Sequence, residues 1–357
     1  MTLEKGNNLM KVLMFGTEWI GGIYNSFIKG FIKNGWKVDT VFFETESRWV
    51  EKHRIPTQIQ AIIPVKRKLF LQACDRFNKK ILKYLSENET DIIFLINEDY
   101  VYPETLRIAK SKYNCKVVCW VADDPFNAAR FKWFPAVINE STHLYVAEKV
   151  WLGHLKILNS KAKYEILHAA VDDDIFKPSV VTPEDREKFK SEVAFVGSSY
   201  NGAAPGLYRA SIINDITEAK VNLWGDSDWC KYYSYYPNIK KYHIAEPLPL
   251  EKTNILNQVA TITLNISHPQ LFTAPQLRTF EIPSSGGFQI ADKRSEIDLL
   301  FEKKLIPQFT NTKELNEIIR YFLHNENERN SIAAEAQKIT MAKHTFKHRC
   351  EFIKATI

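Results

Sequence analysis

Arg278 and Glu281 stand three residues apart in a stretch that reads as loop, helix start, short helix, glycine stop and strand. It runs Leu271-Phe272-Thr273-Ala274-Pro275-Gln276-Leu277-Arg278-Thr279-Phe280-Glu281, then Ile282-Pro283-Ser284-Ser285-Gly286-Gly287-Phe288-Gln289-Ile290. Spacing i, i+3 puts both side chains on one helix face. A guanidinium in that position can take anionic oxygens two at a time. Free N–H groups near Thr273 and Ala274, at the expected helix start, add further donors for an anion. A carboxylate one turn beyond the guanidinium can accept hydrogen bonds from paired hydroxyls. The set therefore suits the phosphates and ribose of a nucleoside diphosphate. The same two residues also allow a plain intrahelical salt bridge.

A second candidate is Trp120-Val121-Ala122-Asp123-Asp124-Pro125-Phe126, which closes an apolar run. In open α/β sheets, ligands sit beyond the carboxyl ends of the strands, so carboxylates here face the place where a ligand binds. Either aspartate within hydrogen-bond reach of a hydroxyl can act as general base. Asp before Pro is also an ordinary turn signal. The third candidate, Phe15-Gly16-Thr17-Glu18-Trp19-Ile20-Gly21-Gly22-Ile23-Tyr24, lies between a strand and a helix. Gly21 and Gly22 would let the backbone approach an anion at the helix N-terminus, or serve a tight turn and nothing more. The stretch is not G-x-G-x-x-G, which weighs against a dinucleotide-dependent oxidoreductase.

The elements that must position these residues are legible as short apolar runs with helical patterns between them. Val12 to Phe15, Val38 to Phe43, Ile92 to Ile96, Val117 to Val121, Leu144 to Ala147 and Tyr164 to Leu167 read as buried parallel strands. The rhythm breaks at Val171-Asp172-Asp173-Asp174-Ile175-Phe176-Lys177-Pro178 and the charged segment Thr182 to Lys190, where a linker is expected. A second series follows: Val193 to Val196, Val221 to Trp224, Ile262 to Ile266 and Phe288 to Ile290, with helices expected over Leu207 to Ala219 and Gln276 to Ser284. Leu315, Ile318, Ile319, Phe322 and Leu323 form the stripe of a helix with one buried face. At 357 residues, two domains are the natural division. The expected fold class is α/β, with two Rossmann-like domains: residues 1–172, residues 173–340 holding the nucleotide, and a terminal helix over 341–357.

Bulk properties exclude several classes. Hydrophobic residues at 45% and charged residues at 25% are globular proportions, not those of a disordered chain. A net charge of +6 is spread over the chain and selects no partner by itself. Cys74, Cys115, Cys119, Cys230 and Cys350 lack C-x-x-C spacing, which argues against a disulfide framework or zinc knuckle and for a reducing cytosol. No stretch approaches the length of an apolar membrane span, and the first eight residues are polar. His168 ends a strand and reads first as a core histidine. His143, His243 and His268 lack companions at metal-ligand spacing, so no metal is expected.

The Arg278-Thr279-Phe280-Glu281 helix with its Gly286-Gly287 stop resembles the donor-binding segment of GT-B glycosyltransferases, most nearly the CgeB-like branch of the glycosyl transferases group 1 families. Two further matches are Val193-Ala194-Phe195-Val196-Gly197-Ser198, which opens the second domain, and His344-Thr345-Phe346-Lys347-His348-Arg349 near the C-terminus. The likeness covers roughly Val193 to Arg349 well and the first half in outline. It implies that Glu281 binds ribose and that Arg278 binds phosphate or donor sugar. By the same likeness Gly197 and Ser198 neighbour the diphosphate, Gly225-Asp226 lies near the base, and the two domains face each other across a cleft with the last helix crossing back to the first. Many retaining relatives carry a second glutamate eight residues before the ribose glutamate. Here that position is Thr273, which tilts the reading toward inversion. Asp123, in its strand-then-Asp context, is also similar to the general base of the DNA β-glucosyltransferase of T-even phages.

What the resemblance implies is metal-independent transfer of a sugar, without a cofactor, from a UDP- or GDP-linked donor to a hydroxyl acceptor. The acceptor class stays open among glycan, lipid-linked, protein and small-molecule hydroxyls. A nucleic-acid acceptor finds no support in a basic cluster interleaved with aromatics, and peripheral membrane contact is compatible with the charge. A nucleotide-sugar epimerase, a phosphorylase, or a non-catalytic binding module on the same scaffold are the rival readings, since fold does not fix function.

Overall fold

The computed structural model of the chain describes residues 9–16, 22–43, 63–97, 100–126, 134–301 and 305–357, with side chains from residue 71 onward in the long helix that begins at Ile63. It forms two compact units: the described residues up to Leu167 together with Arg349–Ile357, and His168–His348.

In the first unit, strands and helices alternate: β1 (Lys11–Gly16), α1 (Ile23–Lys33), β2 (Lys37–Phe42), α2 (Ile63–Glu87), β3 (Ile92–Ile96), α3 (Pro103–Tyr113), β4 (Lys116–Val121), α4 (Phe134–Glu140), β5 (His143–Val146), α5 (Leu152–Leu158) and β6 (Lys163–Ile166). The six strands pair in the order β2-β1-β3-β4-β5-β6, all in parallel. Every residue of β3 is buried, as are all but the first of β4. Their unbroken apolar runs follow from helices covering both faces of a parallel sheet. Phe27 and Phe31 of α1 pack on Phe94, and Phe27 meets Trp120, with ring centroids 4.9 to 5.2 Å apart.

The second unit repeats the plan with α6 (Pro183–Phe189), β7 (Val193–Val196), α7 (Ala204–Asn214), β8 (Val221–Trp224), α8 (Pro237–Tyr242), β9 (His243–Ile244), α9 (Leu250–Val259), β10 (Ile262–Asn265), α10 (Arg278–Ser284), β11 (Gln289–Asp292), α11 (Ile297–Leu300), β12 (Gln308–Phe309), α12 (Thr312–His324) and α13 (Glu326–Lys343). Its sheet order is β12-β11-β10-β7-β8-β9, again parallel throughout. Val193, Phe195, Leu223, Ile262, Leu264 and Ile290 centre the core, and Leu315, Ile319 and Phe322 bury the expected stripe of α12 against it. Val171 and Phe176, in the segment read as a linker, are buried in this unit, and Thr182 caps α6 by accepting the N–H of Asp185.

The final helix, α14 (Phe346–Thr356), ends in the first unit. There Cys350 and Ile353 are fully buried, and the hydroxyls of Thr356 and Tyr145 lie 2.6 Å apart. Where the chain enters and leaves the second unit, Val171 and Thr345 form a parallel bridge. No helix among the described residues is long and apolar enough to cross a membrane.

Candidate functional site

In each sheet the strand order reverses direction once, and such a switch point is where ligands bind in open α/β folds. In the second unit it falls between β7 and β10. Arg278 reaches it: its guanidinium donates to the carbonyl of Val196, the last residue of β7. Arg278 is also the first residue of α10, the positive end of a helix, where a cation is disfavoured by the peptide dipoles.

Glu281 follows one turn later, and both side chains are partly buried. They form no ion pair within 4.0 Å, so the intrahelical salt bridge is not the arrangement adopted. Burial pushes the Arg278 pKa below its ordinary value; the charge of Glu281 works against this and the guanidinium of Arg209 adds to it. Burial likewise pushes the Glu281 carboxyl up to about 7, against the pull of Arg278. Among the described residues no side chain or backbone N–H within hydrogen-bond distance serves the Glu281 carboxylate.

Arg209, on α7, is a residue that sequence reading missed. It is only 6% exposed, its Nε has no partner, and Nη1 makes one long bond of 3.4 Å to the carbonyl of Ser198. Its guanidinium carbon lies 4.9 Å from the ring centroid of Tyr200 and 5.8 Å from that of Phe195. No carboxylate among the described residues comes within ion-pair distance of Arg209. The available signal was a lone arginine in Leu207-Tyr208-Arg209-Ala210-Ser211-Ile212-Ile213, a charge set next to Ala210, Ile212 and Ile213, which face the core.

The loop between β7 and α7 is built to hold an unusual shape. Tyr200, Asn201 and Gly202 are consecutive left-handed residues, with φ of 53°, 58° and 82°. For the two that are not glycine this costs about 1–2 kcal/mol each, so other contacts must fix it. Asp226, after β8, accepts from both the backbone N–H and the hydroxyl of Ser199. Burial alone would raise the Asp226 pKa, but the hydrogen bonds from Ser199 and Ser198 hold it below its ordinary value. Tyr232 donates to the carbonyls of Ser199 at 2.7 Å and Ala203 at 2.9 Å. The Ser198 hydroxyl accepts the N–H of Tyr200.

Gly197 and Gly225 directly follow β7 and β8, and their missing side chains leave room for protein. A Cβ on Gly225 would stand 2.4 Å from the indole nitrogen of Trp229, and one on Gly197 would stand 2.8 Å from the Phe195 ring. Trp229 in turn donates to the Gly197 carbonyl at 2.9 Å.

Thr273 and Ala274 require a correction. The helix begins at Arg278, not Gln276, so they lie in the preceding loop and not in its first turn. Ala274 is fully buried, and the Thr273 carbonyl accepts the N–H of Glu296 at 3.0 Å. Glu296 is buried and lies 3.7 Å from His168, so the histidine is packed beside a carboxylate. The helix expected over Leu207 to Ala219 likewise spans Ala204–Asn214, because Pro205 starts it early.

The His344-to-Arg349 signature supports α10 from behind. The His344 ring packs between Phe280 and Phe301, at 5.2 and 5.4 Å, and the Thr345 hydroxyl lies 2.8 Å from His348 Nδ1. Phe280, like Thr279 between Arg278 and Glu281, turns inward, so this packing helps fix the helix that displays them.

In the first unit, Asp123 follows β4 beside the end of β3. Asn97 donates its side-chain N–H to Asp123 Oδ2 at 2.9 Å, and its Oδ1 accepts the backbone N–H groups of Ala122 at 2.9 Å and Asp123 at 3.3 Å. Asp124 instead accepts the N–H of Phe126, which makes it the turn former of the pair. Gly22 is the N-cap of α1, without a side-chain cap, and Gly21 lies outside the described residues.

Residues 209–355 match the family model described as glycosyl transferase-like. The search of curated proteins found no match. Among solved structures, the chain is similar to sucrose-phosphate synthase from Thermosynechococcus elongatus, with TM-score 0.69 and 11% identity over 97% of this chain and 98% of that one. It is similar to the Anabaena protein HepE in complex with UDP-glucose, with TM-score 0.62 and 14% identity over 97% and 99%. A third structure, described as trehalose-6-phosphate from E. coli bound with UDP-2-fluoro glucose, gives TM-score 0.67 and 12% identity over 97% and 98%. At these identities the likeness establishes the fold, which is GT-B over the whole chain.

Proposed function

We propose that the chain is a glycosyltransferase that moves a sugar from a nucleoside diphosphate donor to a hydroxyl acceptor, a reading that the fold and the family-model match support. The observation that carries this reading is the pair Arg209 and Arg278, two guanidinium groups withdrawn from solvent in the second unit, neither with a carboxylate within ion-pair distance among the described residues. Buried cations without counter-charge are costly. The oxygens of a diphosphate would satisfy both with charge-assisted hydrogen bonds. Glu281, raised toward neutrality and lacking a donor among the described residues, would take the ribose hydroxyls.

The chemistry follows from this assignment. As the bond to the sugar breaks, charge grows on the departing diphosphate, and fixed guanidinium groups stabilise that change. With cationic side chains supplying that stabilisation, turnover without added metal is the expected behaviour. Asp123 would remove the acceptor's proton in an inverting displacement, consistent with Thr273 standing where a second glutamate would be. The UDP- and UDP-glucose-bound neighbours favour a UDP-linked donor, with GDP-linked donors as the alternative. The five cysteines are free and four are buried, which suits a reducing compartment such as the cytosol.

A thermal-shift panel of nucleotides and nucleotide sugars tests the reading, because a ligand specific for the native state raises its stability. A rise with UDP or GDP and their sugars, and a smaller one with the bare nucleosides, is expected. Indifference to every nucleoside diphosphate and nucleotide sugar would sink the proposal.

A further inference from the structure

Asn97 has a left-handed backbone, with φ of 43°, at the end of β3, the strand beside the switch point of the first sheet. Glycine, asparagine and aspartate are the residues that enter this region at least cost. Glycine would supply the backbone angle alone. Aspartate would supply the acceptor for the N–H groups of Ala122 and Asp123, but would set a second negative charge against the Asp123 carboxylate. Only asparagine provides the angle, the acceptor for the two amides and a donor for Asp123 Oδ2, and all three are in use. The Asn97 N–H also reaches the Trp120 carbonyl at 3.4 Å, tying the ends of β3 and β4 together. Asp124, the other carboxylate of this loop, is turned to the N–H of Phe126.

From this we propose that Asn97 is the positioning residue of Asp123: it fixes the carboxylate's direction and occupies one of its oxygens. The proposal rests on Asp123 as the general base. A loop asparagine serving only as a turn would bond its own backbone; here the side chain bridges two strands and ends on the carboxylate.

The test uses the full chain with isotope-labelled aspartate carboxyl groups, the Asp123 resonance being identified by its loss in Asp123→Asn. Asn97→Asp is expected to move the midpoint of the Asp123 titration upward by about one pH unit or more, since a like charge disfavours ionisation. Asn97→Gly keeps the backbone angle and so folds; losing the donor should move the midpoint upward by less. With UDP-glucose as donor and water as acceptor, Asn97→Gly should slow UDP release about 10- to 100-fold at unchanged affinity for UDP, the usual worth of a hydrogen bond to a charged group. An unmoved midpoint in both variants overturns the proposal, as does wild-type UDP release by both. Full UDP release by Asp123→Asn overturns the base reading beneath it. A slow Asp123→Asn together with unmoved Asn97 variants overturns the positioning role alone.

Discussion

Arg278 and Glu281 share one face of α10, a single helical turn apart, and do not pair. The guanidinium goes instead to the carbonyl of Val196 at the end of β7, and the carboxylate keeps an elevated pKa of about 7. A helix that placed these residues for stability would close the ion pair. The open arrangement leaves both groups available to a ligand.

Nucleotide affinity should depend on Glu281. Glu281→Gln removes the negative acceptor with little change in shape, and a hydrogen bond to a charged group is worth about 1.5 to 3 kcal/mol. Calorimetry with UDP and GDP should therefore show affinity falling about 10- to 100-fold for the nucleotide that binds. Equal affinity in the variant would leave the carboxylate without a role in ribose recognition.

The same carboxyl predicts a pH dependence with a definite sign. Its folded pKa, about 7, lies above the ordinary 4.5, so the native chain holds a proton that the unfolded chain releases. The contribution to stability is complete below 4.5 and is lost as pH rises through about 7. Glu281→Gln, which cannot ionise, should raise the melting temperature of the ligand-free protein at pH above 7 and flatten its decline across this window. Binding of ribose hydroxyls favours the ionised form, so UDP affinity should improve over the same rise in pH in the native chain only. Parallel melting curves for the two proteins between acid and alkaline buffers would count against this account.

Arg209 should matter for the phosphates and not for the nucleoside. Arg209→Gln removes the charge while keeping a polar side chain in the pocket formed by Tyr200 and Phe195. UDP affinity should fall by about tenfold or more, the worth of a charge-assisted contact, with weaker dependence on salt, while uridine binding stays as it was. Loss of uridine and UDP binding together, with a lowered melting temperature, would assign Arg209 to loop packing instead.

Asp123→Asn should separate binding from turnover. Removing a general base lowers the rate by about two to four orders of magnitude, and nothing in the donor site of the second unit changes. Measured beside Asp124→Asn, whose carboxylate shapes the turn, the effect should belong to Asp123 alone. Product with retained anomeric configuration, or full turnover in Asp123→Asn, would remove Asp123 from the chemistry.

The strands that carry the fold were written in the chain. Ile92 to Ile96 and Val193 to Val196 are continuous apolar runs because buried parallel strands have no wet face, and that requirement acts residue by residue. The two-residue strands β9 and β12 left no such trace, since they exist only as edges paired to β8 and β11. Glu281 and Arg278 were legible through local spacing on one helix. Whether they paired was not, because Val196, the competing partner, lies 82 residues away in sequence. Arg209, Asn97 and the bond of Asp226 to Ser199 stayed hidden for the same reason. Each acts on a group brought close by sheet order: Arg209 on the charge of Arg278, Asn97 on Asp123, Asp226 on Ser199. Periodicity and capping are short-range constraints and survive in the sequence; the meeting of charges across strand ends is a property of the packed chain, and only tertiary structure decides it.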